Sequence, residues 1–245
     1  MSWDSLIWLP AMVHNPHFAD TRGLASRLTM HTGGLEGVMA HDQGIVASTM
    51  TGESGLRVQA GIFAAVYMGF DPGGELTFNL VTFDGRFGVP VDITVGRLGL
   101  RTAWVHQSGH YADGVRLQDD RPEGDVPEPH SREWLEIHGH WDVDWISPYL
   151  GVGHVVHAVD GGHGQRLMMG FNGDTKGATG LYWSADLQAD AERDWSPRVA
   201  AQAGVYARQT GLLQLGLVAV HGPEDAGQKW DECEQYVGVN AGFGL

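Results

Sequence analysis

The chain has 245 residues, 36 of them glycine, and sets 15 Lys+Arg against 30 Asp+Glu for a formal charge of −15. That acidic balance excludes a nucleic-acid-binding surface, since phosphates need cationic partners, and the single Cys233 excludes an internal disulfide framework. No run of about 18 apolar residues is present, so no membrane helix is expected; a spanning β-strand, which needs only ~9–11 alternating residues, stays open.

Residues 1–22, with Trp3, Trp8, Pro10 and Pro16, have no period and read as an irregular lead-in. They lack the basic segment and clean apolar core of a signal peptide, so an exported chain is expected to have had its signal removed or replaced. Residues 23–245 read as one β domain of about twelve alternating segments, each ended by Gly, Asp or Pro. Leu24–Thr32 and Leu35–Ser48 alternate least. Leu56–Phe70 is clear: Leu56, Val58, Ala60, Ile62, Ala64, Val66, Met68 and Phe70 share one face, and Arg57, Gln59 and Tyr67 the other. Fifteen residues is long for a soluble strand and natural for a tilted membrane one.

Pro72–Phe83 reads as an apolar loop. Parity slips near Asp84, so the next strand is set at Gly85–Val95, with a bulge or local break expected at Pro90. Arg97–His110 follows. Its even positions are Leu98, Leu100, Thr102, Trp104, His106, Ser108 and His110, against Arg97, Gly99, Arg101 and Gln107. An acidic, aperiodic loop, Tyr111–Pro129, leads to Ser131–Trp145, with Leu135, Ile137, Trp141 and Trp145 opposite His138, His140, Asp142 and Asp144. The remaining strands are Tyr149–Val159, Gln165–Gly173, Leu181–Ala189, Pro197–Arg208, Leu212–His221 and Glu234–Leu245.

A soluble sandwich or lipocalin-like barrel has the same alternation with its polarity reversed. Strand length, the apolar terminal strand and a tendency of short turns to alternate with long acidic loops favour a membrane barrel. The expected fold is therefore all-β: a single antiparallel transmembrane β-barrel of about 12 strands with a polar interior and an apolar exterior. Its expected place is the bacterial outer membrane, with membrane lipids as partners.

Three pieces carry a family resemblance: Trp104 to His110, then Ser131-Arg132-Glu133, then the closing Tyr236–Leu245 strand. The chain resembles an uncharacterised family of bacterial outer-membrane proteins whose hallmark is a strand ending in His-x-Ser-x-His before an acidic loop. That resemblance implies fold and location, and no activity. Where the family continues with a Gly-Asp-Glu-like run, this chain has Tyr111-Ala112-Asp113.

Over three residues, His106-Gln107-Ser108 also resembles the His-x-Ser of outer-membrane phospholipase A and the lipid A 3-O-deacylase. The resemblance implies Ser108 as nucleophile, His106 as general base and an acidic or amide residue on the following strand to orient the ring. Residues i and i+2 share a strand face about 6–7 Å apart, and cross-strand partners lie about 4.5–5.5 Å apart. Glu133 has the parity of Leu135 and Ile137, the expected lipid face, and fits the third role. With ~3.3 Å per residue and a tilt near ~45°, Ser108 climbs roughly 25 Å from Arg97, to the edge of the apolar band, where a lipid ester sits. His110 is an alternative base. A His and a Ser at a strand end are also ordinary interfacial residues, so the site rests on parity, depth and Glu133 together.

Two further clusters carry ligand-type side chains. His138, His140, Asp142 and Asp144 form a metal-ligand or proton-carrying candidate, with polar lumen packing the more economical reading. Asp119, Asp120, Glu123 and Asp125 offer oxygen ligands for Ca²⁺ without EF-hand spacing, and otherwise form a solvated loop; no other cofactor is expected. The functional expectation is a lipid acyl-ester hydrolase; the alternative is a non-enzymatic barrel serving as narrow pore, envelope element or partner-binding protein.

Overall fold

The computed structural model describes residues 26–31, 34–49, 55–73, 77–111, 130–208, 212–223 and 233–244. The lead-in 1–22 and the carboxylates Asp119, Asp120, Glu123 and Asp125 lie outside the described residues.

The described residues form twelve strands: β1 (Ser26–His31), β2 (Gly34–Thr49), β3 (Leu56–Gly73), β4 (Thr77–Val95), β5 (Leu98–Tyr111), β6 (His130–Trp141), β7 (Ile146–Ala158), β8 (Gln165–Asp174), β9 (Thr179–Asp190), β10 (Pro197–Arg208), β11 (Leu212–Pro223) and β12 (Cys233–Gly244). Each pairs antiparallel with its sequence neighbours, and β1 pairs with β12 to close the barrel, Ser26 facing Phe243. Closure leaves no sheet edge, so the ladder satisfies the backbone polar groups without water. Connections on one side span two to six residues, at 50–55, 96–97, 142–145, 175–178 and 209–211. On the other side they lengthen from β5 onward, to 112–129, 159–164, 191–196 and 224–232, while 32–33 and 74–76 stay short.

The polarity is that of a barrel in lipid. Every strand exposes a large apolar side chain, among them Leu28, Met39, Ile62, Phe87, Leu100, Ile137, Val152, Met169, Leu181, Val205, Leu217 and Val239. Facing inward, the buried side chains include Arg27, Gln59, Asp84, Asp92, Arg101, Arg166, Asp186, Arg198 and Asn240. Buried charges are tolerated only when paired and hydrogen-bonded, and these are. Arg101 Nε and Nη2 lie 2.8 and 3.1 Å from the two Asp92 oxygens. Arg166 grips Asp190 in the same fork at 2.6 and 3.0 Å, its guanidinium 4.5 Å over the Trp134 ring. Arg86 Nη2 reaches Glu136 Oε1 at 2.7 Å, and the Tyr149 hydroxyl donates to Asp186.

Three local expectations need correction. The stretch expected as a loop between Pro72 and Phe83 is largely strand, because β3 runs to Gly73 and β4 starts at Thr77. The apparent slip at Asp84 comes from a bulge nearer the strand start: Gly69 pairs with Thr82, then Phe70 with Leu80. One extra residue there resets the alternation, and Asp84 itself is buried inward in step with Asp92. The local break expected at Pro90 is present: the register to β5 is unbroken, while pairing with β3 lapses between Ala60↔Val91 and Phe63↔Gly88, as a missing N–H requires. β6 ends at Trp141 instead of Trp145; Asp144, with φ of 40°, turns the chain into β7. The weak period of β2 has the same cause as that of β4, a register shift between Gly44 and Val46.

Candidate active site on the outer wall

The site is built on the long-loop ends of β4, β5 and β6. Along β5, Arg101, Ala103, Val105 and Gln107 are buried inward, so His106, Ser108 and His110 project outward with Leu98 and Leu100. On β6, Arg132, Trp134 and Glu136 point in and Glu133 points out. Register then sets the partners: Phe87 faces His106, His106 faces Glu133, and Ser108 lies between Gly85 and Ser131. An apolar cluster of Phe63, Ala103, Val105, Trp134, Val155 and Ala158 packs on the inner side of the wall behind these residues.

His106 Nδ1 stands 3.8 Å from Glu133 Oε1, with both side chains partly exposed at 24% and 32%. The other side of the imidazole is braced by aromatics, the Phe87 ring centroid at 4.7 Å and Trp104 at 6.5 Å. Gly85 has no side chain to cover Ser108; a Cβ there would lie 3.5 Å from the Ser108 Oγ. The structure thus brings His106 and Glu133 together on one face with Ser108. Among the described residues the Ser108 hydroxyl has no hydrogen bond to either. Catalytic hydrogen bonds in empty sites are often long and tighten with substrate. His110 is exposed opposite Phe83, its backbone N–H donating to Asp84 Oδ1 at 3.3 Å, and among the described residues no carboxylate faces it in register.

One neighbour was not singled out from sequence. Glu133 pairs with His157 on β7, after which the register shifts and Trp134 pairs with Val155. The bulge turns both Val156 and His157 outward, so Glu133 has an imidazole strand partner on each side. The signal in the sequence was the odd spacing of His154 and His157, two outward histidines of opposite parity.

The second cluster separates. His138 and His140 are buried inward, His138 Nε2 3.4 Å from Glu136 Oε2, while Asp142 and Asp144 lie past the end of β6 in an exposed turn, where Asp144 pairs with Arg97 at 3.0 Å. His140 Nε2 still lies 3.9 Å from Asp142 Oδ2, but the four do not converge on one point, because the strand ends before Asp142 and Asp144 is paired with Arg97. Among the described residues no group of three or more His, Cys, Asp or Glu is placed to hold a metal ion. The two rings instead occupy space left by glycines on neighbouring strands, His138 at Gly151 and His140 at Gly99.

No protein-family model matches the chain, and no curated protein does. The resemblance to an uncharacterised outer-membrane family therefore stands on its motifs alone. Among solved structures, the chain is similar to the β domain of the Bordetella autotransporter BrkA (13% identity, 90% of this chain and 96% of that one, TM-score 0.43). It is similar also to OmpT, an outer membrane protein of Vibrio cholerae (10%, 91% and 97%, TM-score 0.39), and to LpxR from Salmonella typhimurium (11%, 88% and 89%, TM-score 0.39). These likenesses concern the barrel fold.

Proposed function

We propose that this barrel sits in the bacterial outer membrane and hydrolyses an acyl ester of a membrane lipid at its outer wall. The observation that carries the reading is the His106–Glu133 pair, in direct register and facing outward at the long-loop edge, with Ser108 two residues along the same face. In this chemistry Ser108 Oγ attacks the ester carbonyl while His106 takes its proton, and Glu133 holds the ring and balances the imidazolium. The tetrahedral intermediate collapses with cleavage of the C–O bond, and His106 returns the proton to the leaving alkoxide. Water, activated by the same histidine, then frees the fatty acid from Ser108. The location supports the chemistry, because a lipid ester lies at the edge of the apolar band and is presented from the side.

A second reading, a non-enzymatic envelope barrel, is favoured by the lumen. Its inner wall is lined by paired polar side chains, Arg101–Asp92 and Arg166–Asp190 between neighbouring strands and Arg86–Glu136 and Tyr149–Asp186 between strands two apart, and a twelve-strand barrel so lined has no wide pore. Fatty-acid release from phospholipid and from lipid A by purified protein in detergent separates the two. Release by wild type that Ser108→Ala abolishes while keeping its fold supports the hydrolase; no release from either substrate leaves the structural reading.

A further inference from the structure

At the opposite end of the same strands the outer wall is notched. Outward positions in register across β5, β6 and β7 are Leu100, Gly139 and Leu150. Where inward-facing glycines in this region are filled by neighbouring rings, a Cβ added at Gly139 would meet nothing within 4 Å. The result is an open, apolar groove of about 630 Å³, walled by Val95, Leu98, Leu100, Trp141, Pro148 and Leu150. That volume falls within the ~300–1,000 Å³ usual for small-ligand sites.

We infer that this groove seats one hydrocarbon chain of a phospholipid from the leaflet on the short-turn side, with the lipid phosphate on the Arg97 guanidinium. The groove opens onto lipid hydrocarbon, where there is no water to fill it, and an empty notch forfeits the dispersion contacts of every atom lining it. A flexible chain fills such a shape; a neighbouring rigid wall does not. Height sets the rest. Exposed Trp141 and Trp145, at 53% and 58%, stand at the level where aromatic side chains mark the membrane surface. Arg97 sits in the two-residue turn between Val95 and Leu98, both groove residues. Its side chain is 60% exposed and its one described ion pair, to Asp144, uses a single nitrogen. A guanidinium has five N–H donors, so phosphate can be added to that pair.

The test is independent of any hydrolysis. Purified protein is incubated in mild detergent with a dialkyl-ether phosphatidylglycerol, which has no acyl ester to cleave, and with the matching dialkylglycerol, and retained lipid is counted by native mass spectrometry. Wild type should keep one phospholipid. Gly139→Leu should lower retention of both lipids about tenfold, Gly139→Ala less. Arg97→Gln should lower retention of the phospholipid and leave that of the dialkylglycerol unchanged. Heat-dependent migration on a gel verifies that each barrel is folded, and Gly139→Ala serves if the leucine variant is not. Equal retention by wild type and the Gly139 variants, no retention by wild type, or an Arg97→Gln variant that keeps the phospholipid as wild type does or loses both lipids alike would overturn the inference. A doubled mass that Gly139→Leu returns to the single chain would overturn it too, since a second copy would then cover the groove.

Discussion

His106 and Glu133 face each other across β5 and β6 with Nδ1 and Oε1 3.8 Å apart, and both lie on the side of the wall that faces away from the lumen. The ladder fixes the two backbones opposite each other, so the side chains meet without any shift in register. If the pair orients a base for Ser108, three substitutions should rank. Ser108→Ala removes the nucleophile and should abolish fatty-acid release, while His106→Ala should lower it by about 10²–10⁴-fold. Glu133→Gln, which keeps shape and loses charge, should retain Km and lower kcat. Equal activity in Glu133→Gln and wild type would detach Glu133 from the chemistry.

The depth of the apolar belt makes its own prediction. Leu217 lies near the middle of β11 and is 62% exposed on the lipid face; Leu213 lies near its short-turn end and is 64% exposed. Exposure alone would treat them alike. In a bilayer, Leu217→Arg should destabilise the folded barrel by ~2–4 kcal/mol and Leu213→Arg by only ~0–1 kcal/mol. Equilibrium unfolding in lipid vesicles measures both. Similar costs would mean that the apolar wall faces something other than a bilayer.

The order and faces of the strands were legible because their signal is local. A period of two over ten or more residues fixes which side chains share a face, and parity put Glu133 on the outward face of the strand after His106; that the two stand directly opposite is a matter of register. What could not be read is where the period resets. The bulges near Val81, Ile45 and Val156 each insert one residue, and nothing in their apolar composition distinguishes them from an end of strand. The first hid the start of β4, and the last hid His157. Hydroxyl geometry is equally silent in sequence: Ser108 shares the face as expected, yet has not closed on His106.

Inside the barrel, the prediction concerns asymmetry. Arg101 and Asp92 are each 2% exposed and bonded through a two-point fork. Removing one partner leaves an uncompensated buried charge, which typically costs ~3–5 kcal/mol, whereas replacing both with apolar residues of similar volume is often close to neutral. Arg101→Met should therefore be much less stable than wild type, and Arg101→Met combined with Asp92→Leu should recover most of the loss. Unfolding midpoints of the four proteins form the cycle; a double variant no better than the single would show that the pair's neighbours need its charges.

The long-loop mouth carries a clip that should respond to acid. Arg132 is buried near the start of β6 and reaches out to two connections, with Nη1 3.0 Å from Asp160 Oδ2 and Nε 3.0 Å from Glu192 Oε2. Partial burial of Asp160 works to raise its pKa, but the Gly162 N–H and the Arg132 guanidinium prevail and hold it below the ordinary aspartate range. Because the folded value lies below the unfolded one, the clip's contribution is complete above the unfolded pKa of about 4 and is lost as pH falls through the folded value. Between pH 7 and pH 5 Asp160 should thus contribute in full and add no slope to the unfolding temperature, and below pH 4 that temperature should fall more steeply in wild type than in Asp160→Asn, which has no proton to gain. The two curves should converge at the acid end, with wild type above the variant at neutral pH. Parallel curves from pH 7 to pH 2 would show that Asp160 does not lock the mouth.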